Sequence, residues 1–142
     1  MRKPLIIVVV LLSALACASD KLESIEALKA RADQARPKDQ VELFIHIAER
    51  QLDSLDKAYN GGTVRESQVA LADVVNYGVK AAQVSSATGK RMKQTEIALR
   101  KISSRLEAIR KTLDLDDRPP LAHGNQKLET ARSELLNRMF RK

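Results

Sequence analysis

The sequence predicts an all-α fold: an antiparallel helical bundle, or an extended helical hairpin, closed by coiled-coil-like heptad seams. Three observations carry that prediction. Apolar residues recur in steps of three and four through most of the chain after residue 38. The breakers Pro37, Gly61-Gly62, Pro119-Pro120 and Gly124 sit where one helix would give way to the next. Aromatics are only 3% of the 142 residues (Phe44, Tyr59, Tyr77 and Phe140, with no Trp), too few for the cross-strand packing of a β-sandwich.

The chain opens with Arg2 and Lys3, the apolar run Leu5 to Leu12, and the small residues Ser13 to Ala18. This is the layout of a secretory signal peptide over residues 1–16. From Leu5 to Ala18 a helix is about 21 Å long at ~1.5 Å per residue, short of the ~30 Å hydrocarbon core. Two readings of its end stay open. Ala14-Leu15-Ala16 or Ala16-Cys17-Ala18 is an A-x-A cleavage site, releasing the protein into the periplasm. Alternatively, Ala14-Leu15-Ala16-Cys17 resembles a bacterial lipobox, which implies diacylation of Cys17 as the new N-terminus. Ala14 stands where Leu is usual, and no Gly/Ser tether follows. Cys17 is the only cysteine, so residues 17–142, read as one domain, have no pair for a disulfide and no Cys-based metal site.

Helices are predicted near 20–36, 38–60, 63–114 and 121–140. Asp20 with Glu23, and Thr63 with Glu66, have capping-box spacing. Asn60-Gly61-Gly62 suits a tight turn through left-handed backbone, making the flanking helices antiparallel. In the second helix Val41, Ile45, Ala48, Leu52, Leu55 and Tyr59 form a seam. Met92, Thr95, Leu99, Ile102, Leu106, Ile109 and Leu113 form another, which runs backward in phase through Thr88, Ser85, Ala81, Gly78, Val74 and Leu71. That continuity favours one rod over 63–114, about 75 Å long. A break near 86–89, at a Ser/Thr cluster followed by Gly89, is the competing arrangement. Small residues in the middle of the seam predict close packing of helix axes, and Ala70, Tyr77 and Val84 make a second apolar edge. Asp114, Asp116 and Asp117 are suited to ending the helix, since acidic groups disfavour its C-terminus.

The net charge of +7 is unevenly spread. Residues 17–63 hold seven basic and nine acidic side chains, whereas residues 89–113 hold eight basic and two acidic. Lys90, Lys93, Arg100, Lys101 and Lys111 fall opposite the Met92–Leu113 seam, with Arg105 nearer its edge. A basic amphipathic helix of this kind suits anionic lipid or envelope polymer, or an acidic protein face. It also fits a solvated face paired with the acidic N-terminal half. Nucleic acid is disfavoured by the export signal and by the lack of aromatics to stack on bases.

Catalytic signals are weak. Glu42, His46, Glu49 and Asp53 share one face of the second helix, but a bundle metal site needs matching ligands from other helices and no Glu-x-x-His pair occurs. The expectation there is a solvated ridge, with no metal and no cofactor. His123 falls in a loop or ragged helix start at Pro119–Gly124, without a nucleophile elbow, phosphate loop or HExxH motif. The expected protein is therefore a non-enzymatic helical component of the bacterial envelope, structural or protein-binding, with Cys17 as the lipid attachment residue where the lipobox is used. Partners are expected through self-association along the seams or through the basic face. A basic-face binder of anionic lipid or polymer and a periplasmic holdase chaperone are the alternatives.

Overall fold

The computed structural model describes residues 23–141, which form five α-helices and a short 3-10 turn with, among the described residues, no strand. The leader at 1–16, Cys17 and the Asp20 half of the first capping box lie outside the described residues. Helix α1 (Ile25–Gln34) begins later than residue 20, at Ser24, whose Oγ accepts from the Ala27 N–H at 3.1 Å. It buries only Leu28 and Ala32. Pro37 opens α2 (Pro37–Gly61) at a position where its missing N–H costs no helical bond. Gln40 Nε2 donates to the Ala32 carbonyl at 3.1 Å and closes the corner between the two helices.

The predicted α2 seam is buried at Val41, Ala48, Leu52 and Leu55, and a second edge, Phe44, Ile47 and Gln51, is buried beside it. Two buried edges mean that α2 meets neighbours on more than one side. The turn to α3 (Val64–Thr88) carries the predicted capping box: Glu66 N–H donates to Thr63 Oγ1 at 3.1 Å, and Thr63 N–H donates to Glu66 Oε2 at 2.9 Å. The expected left-handed backbone is absent here. Gly62 sits at φ −95°, and it is needed for space, because a Cβ would lie 2.8 Å from Ala58 Cα.

The rod expected over 63–114 is two helices, α3 and α4 (Met92–Thr112). Gly89 takes φ +70° and Arg91 φ +56°, the only positive-φ residues among those described. Ser and Thr hydroxyls add hydrogen bonds to backbone carbonyls on both sides of the break. Thr88 Oγ1 donates to the Val84 carbonyl at 2.7 Å, and Ser85 Oγ reaches past the break to the Lys90 carbonyl at 2.6 Å. Seam phase survives because each half packs against its own neighbours, so unbroken phase does not require an unbroken helix.

Helix α5 (Arg118–Phe140) follows a 3-10 turn at Leu115–Asp117. The expected breakers Pro119-Pro120 lie in its first turn, where amide donors lack helical partners anyway. Gly124 is a helix-interior contact rather than a stop: a Cβ there would lie 2.9 Å from Val75 Cγ2. Gly78 is its counterpart on α3, where a Cβ would lie 2.5 Å from Leu128 Cδ2. The close packing expected of small seam residues is thus found at Gly78, against α5.

Cross-helix contacts define the topology. Gln51 bonds Asp73, so α2 and α3 are antiparallel. Ser103 bonds Asn125 and Glu96 bonds Arg132, so α4 and α5 are antiparallel. The two hairpins lie side by side, α2 along α4 and α3 along α5, with α1 packed on the first. Leu52, Leu55, Val74, Leu99, Leu106, Leu121, Leu128 and Leu135 have no exposed surface, so the predicted seams close within one chain.

Candidate functional surface

The predicted basic face does not survive as one unit. Arg105 leaves it for α2, donating to Asp53 Oδ1 at 2.7 Å, and Arg100 stands 3.7 Å from Glu96, which also accepts from Arg132 of α5 at 3.0 Å. Arg91 approaches Glu42 at 3.4 Å, and Arg110 grips Glu107 through two bonds at 2.5 and 2.8 Å. The hydrogen bonds from Arg110 hold the Glu107 carboxyl below the usual carboxylate range. The lysines behave differently. Lys90, Lys93, Lys101 and Lys111 are exposed and have no ion-pair partner among the described residues. Guanidinium forks match carboxylates, while ammonium groups hydrate strongly, which accounts for the division.

Two of those arginines, Arg91 and Arg105, reach the acidic ridge of α2. Its end members Glu42 and Asp53 are engaged by α4, and His46 lies exposed between them. Among the described residues no three His, Cys, Asp or Glu side chains are grouped to hold a metal ion. His123 is exposed in the second turn of α5, so of the two expected settings, loop or helix start, it has the helical one.

A second polar cluster, which periodicity did not reveal, ties α1 to the first hairpin. Asp73 accepts from Lys29 Nζ at 2.6 Å and from Gln51 Nε2 at 2.5 Å. Tyr77 beside it takes Lys80 over its ring at 4.7 Å and Lys29 at 5.5 Å, and its centroid is 5.6 Å from that of Phe44. Burial pulls the Lys29 pKa down, but the hydrogen bond and charge of Asp73 outweigh it and the net shift is upward. Burial pushes the Tyr77 and Tyr59 phenols up. Lys29, Gln51, Asp73 and Tyr77 act as a polar clasp between helices, and Tyr59 stands apart from it near Ser67.

Concavities are shallow and open. A groove of about 1000 Å³ runs along the α2–α3 turn, with Lys57, Ala58, Gly62, Arg65 and Val69 among its walls. A smaller one of about 480 Å³, between α3 and α5, includes Val79, His123 and Glu134. No helix among the described residues is long and apolar enough to cross a membrane.

Folding also gathers cations that sequence spacing never connected. Lys90 and Lys93 stand at the end of the bundle where α2 begins with Arg36 and Lys38 and where α5 finishes with Arg138 and Arg141. Lys111 stands at the opposite end, beside Asp114, Asp116 and Asp117. Pairing of antiparallel helices is the signal that finds this grouping, and it needs the break at Gly89 to be known.

The fold and its surface define a helical bundle with an asymmetric charge distribution. Comparison of the chain with protein-family models, with curated proteins and with solved structures finds no match.

Proposed function

We propose that this protein is an exported, non-enzymatic helical module of the bacterial envelope that works by binding, with Cys17 as its lipid attachment point. The observation that carries the binding role is the division on α4: its arginines are spent on cross-helix or local ion pairs, while its lysines stand exposed. A face used only for internal pairing would engage both. An anionic or acidic partner meeting Lys93, Lys101 and Lys111 is the chemistry this face suits, and such binding weakens with salt. The bundle reading is preferred to the holdase because the apolar seams that a client would need are closed inside the chain.

Two measurements test the proposal. Intact-mass analysis of membrane and soluble fractions is expected to show a diacylated chain beginning at Cys17; a full-length chain that retains Met1 in the cytoplasm would defeat the export reading. Retention on an immobilised polyanion is expected to fall with rising salt and with Lys101→Glu plus Lys111→Glu. Retention indifferent to both would remove the α4 face from the account.

A further inference from the structure

We propose that the end of the bundle formed by the start of α2, the α3–α4 break and the end of α5 is a docking cap for an anionic lipid surface, with Phe140 entering the headgroup layer. The argument begins with register. Arg132 meets Glu96 and Asn125 meets Ser103, so continuing the antiparallel pairing sets Arg138 at the level of Lys90. Gln51 meets Asp73, which sets Lys38 near Ser86 at the end of α3. Arg91 meets Glu42 and Arg105 meets Asp53, so α2 and α4 run parallel and begin together. Three chain segments far apart in sequence therefore share one end.

Their charge is one-sided. Residues 33–42, 86–93 and 134–141 carry seven basic and four acidic side chains. Lys38, Lys90, Lys93, Arg138 and Arg141 are exposed, and Arg36 is 89% exposed. Of the acids, Asp39 and Glu42 lie 3.4 Å from Arg36 and Arg91, which leaves Lys38, Lys90, Lys93, Arg138 and Arg141 exposed against only Asp33 and Glu134. Among these cations stands Phe140, 76% exposed and flanked by Arg138 and Arg141.

The opposite end supplies the contrast. It also exposes large apolar side chains, Val64 at 74% and Leu115 at 76%. Residues 49–66 and 111–118 around them, however, carry seven acidic and five basic side chains. Apolar exposure occurs at both ends, but only the end bearing Phe140 combines it with positive charge. Basic side chains are drawn to the negative potential of anionic headgroups, and an aromatic ring among them gains by leaving water for the acyl boundary. A soluble polyanion would use the charges and leave the ring in water, which is why a lipid surface is the occupant inferred.

The proposal deepens the binding reading above but uses the end of the bundle rather than the outer face of α4, and the experiment separates the two. The leaderless protein carrying Cys17→Ser, so that no acyl chain contributes, is sedimented with vesicles of phosphatidylethanolamine and phosphatidylglycerol at roughly three to one. Pelleting is expected with these and not with neutral vesicles. Arg138→Glu with Arg141→Glu should lower partitioning by at least about tenfold, and Phe140→Ala by about threefold or more. Lys38→Glu with Lys90→Glu, on other segments of the cap, guards against local unfolding of α5 and should repeat the loss, while Lys57→Glu with Arg65→Glu, at the opposite end of the bundle, should leave pelleting largely intact. Phe140→Trp is expected to blue-shift its emission on anionic vesicles. No pelleting of the parent protein, pelleting that ignores the cap reversals, or an unshifted tryptophan would overturn the proposal. So would salt-sensitive self-association lost with the same reversals, which would make the partner the acidic end of a second copy.

Discussion

At the residue scale, what a position tolerates is set by which atoms stand opposite it. Gly78 faces Leu128 and Leu99, both without appreciable exposure, so added bulk has nowhere to go. Gly78→Val is expected to destabilise by about 1–3 kcal/mol as overpacking strains the α3–α5 contact. Gly61 has nothing within 4 Å of its hypothetical Cβ and no positive φ, so Gly61→Ala should raise stability by about 0.4–1 kcal/mol. Urea unfolding of the two variants checks both signs. Lys29 and Tyr77 of the polar clasp, with Tyr59 at the α2–α3 turn, make a second prediction, about pH. Lys29, Tyr59 and Tyr77 all hold their protons more tightly in the folded state than when unfolded. For such groups the stabilisation is complete below the unfolded pKa and is lost as pH rises through the folded one. Thermal unfolding midpoints should therefore fall as pH passes about 10, in step with tyrosinate absorbance. A midpoint flat through that range would mean that these three groups contribute nothing to stability.

At the scale of elements, the break between α3 and α4 decides the architecture. Gly89 and Arg91 both hold left-handed backbone, for which a non-glycine residue carries a strain of about 1–2 kcal/mol. The Ser85, Thr88 and Thr95 hydroxyls satisfy carbonyls around it, at Lys90, Val84 and Arg91. The seam phase across the break is continuous, so a straightened α3–α4 would keep the seam residues on one side. Replacing Gly89 and Lys90 with Ala is expected to favour that straight form. The freed hairpins would then pair with those of a second copy, since a swapped dimer conserves the core contacts. Size-exclusion chromatography with light scattering should show a monomeric parent and a dimeric fraction in the variant; an unchanged monomer would show that the Ser/Thr bonds and core packing hold the turn without glycine. The periodicity was legible from residues 41–59 and 71–113 because it is a local property. The choice between rod and hairpin was not, because it depends on whether α5 and α2 are there to cover the two halves.

At the scale of the molecule, the two hairpins align so that unlike ends of the chain meet and charge separates along the bundle. Lys90 and Lys93 were visible as basic residues in the sequence, but their association with Lys38 and Arg138 was not, as it follows from helix register alone. On a helical wheel Arg100 falls with the lysines and Arg105 nearer the seam's edge. Both differ from the lysines because Glu96 and Asp53 are within reach of a guanidinium, a matter of which neighbour each side chain faces. The helical class, the burial of most of the heptad seams, the Thr63–Glu66 cap and the excess of positive charge on residues 89–113 were all legible from residue order, because spacing and capping act over a few residues. The folded chain was needed to show that the 63–114 segment reverses at Gly89, that Gly124 and Pro119-Pro120 belong to a helix, and which cations stand unpaired. Those outcomes turn on contacts between segments distant in the chain: a glycine that admits Leu128, a carboxylate that meets an arginine, and a helix end that meets another.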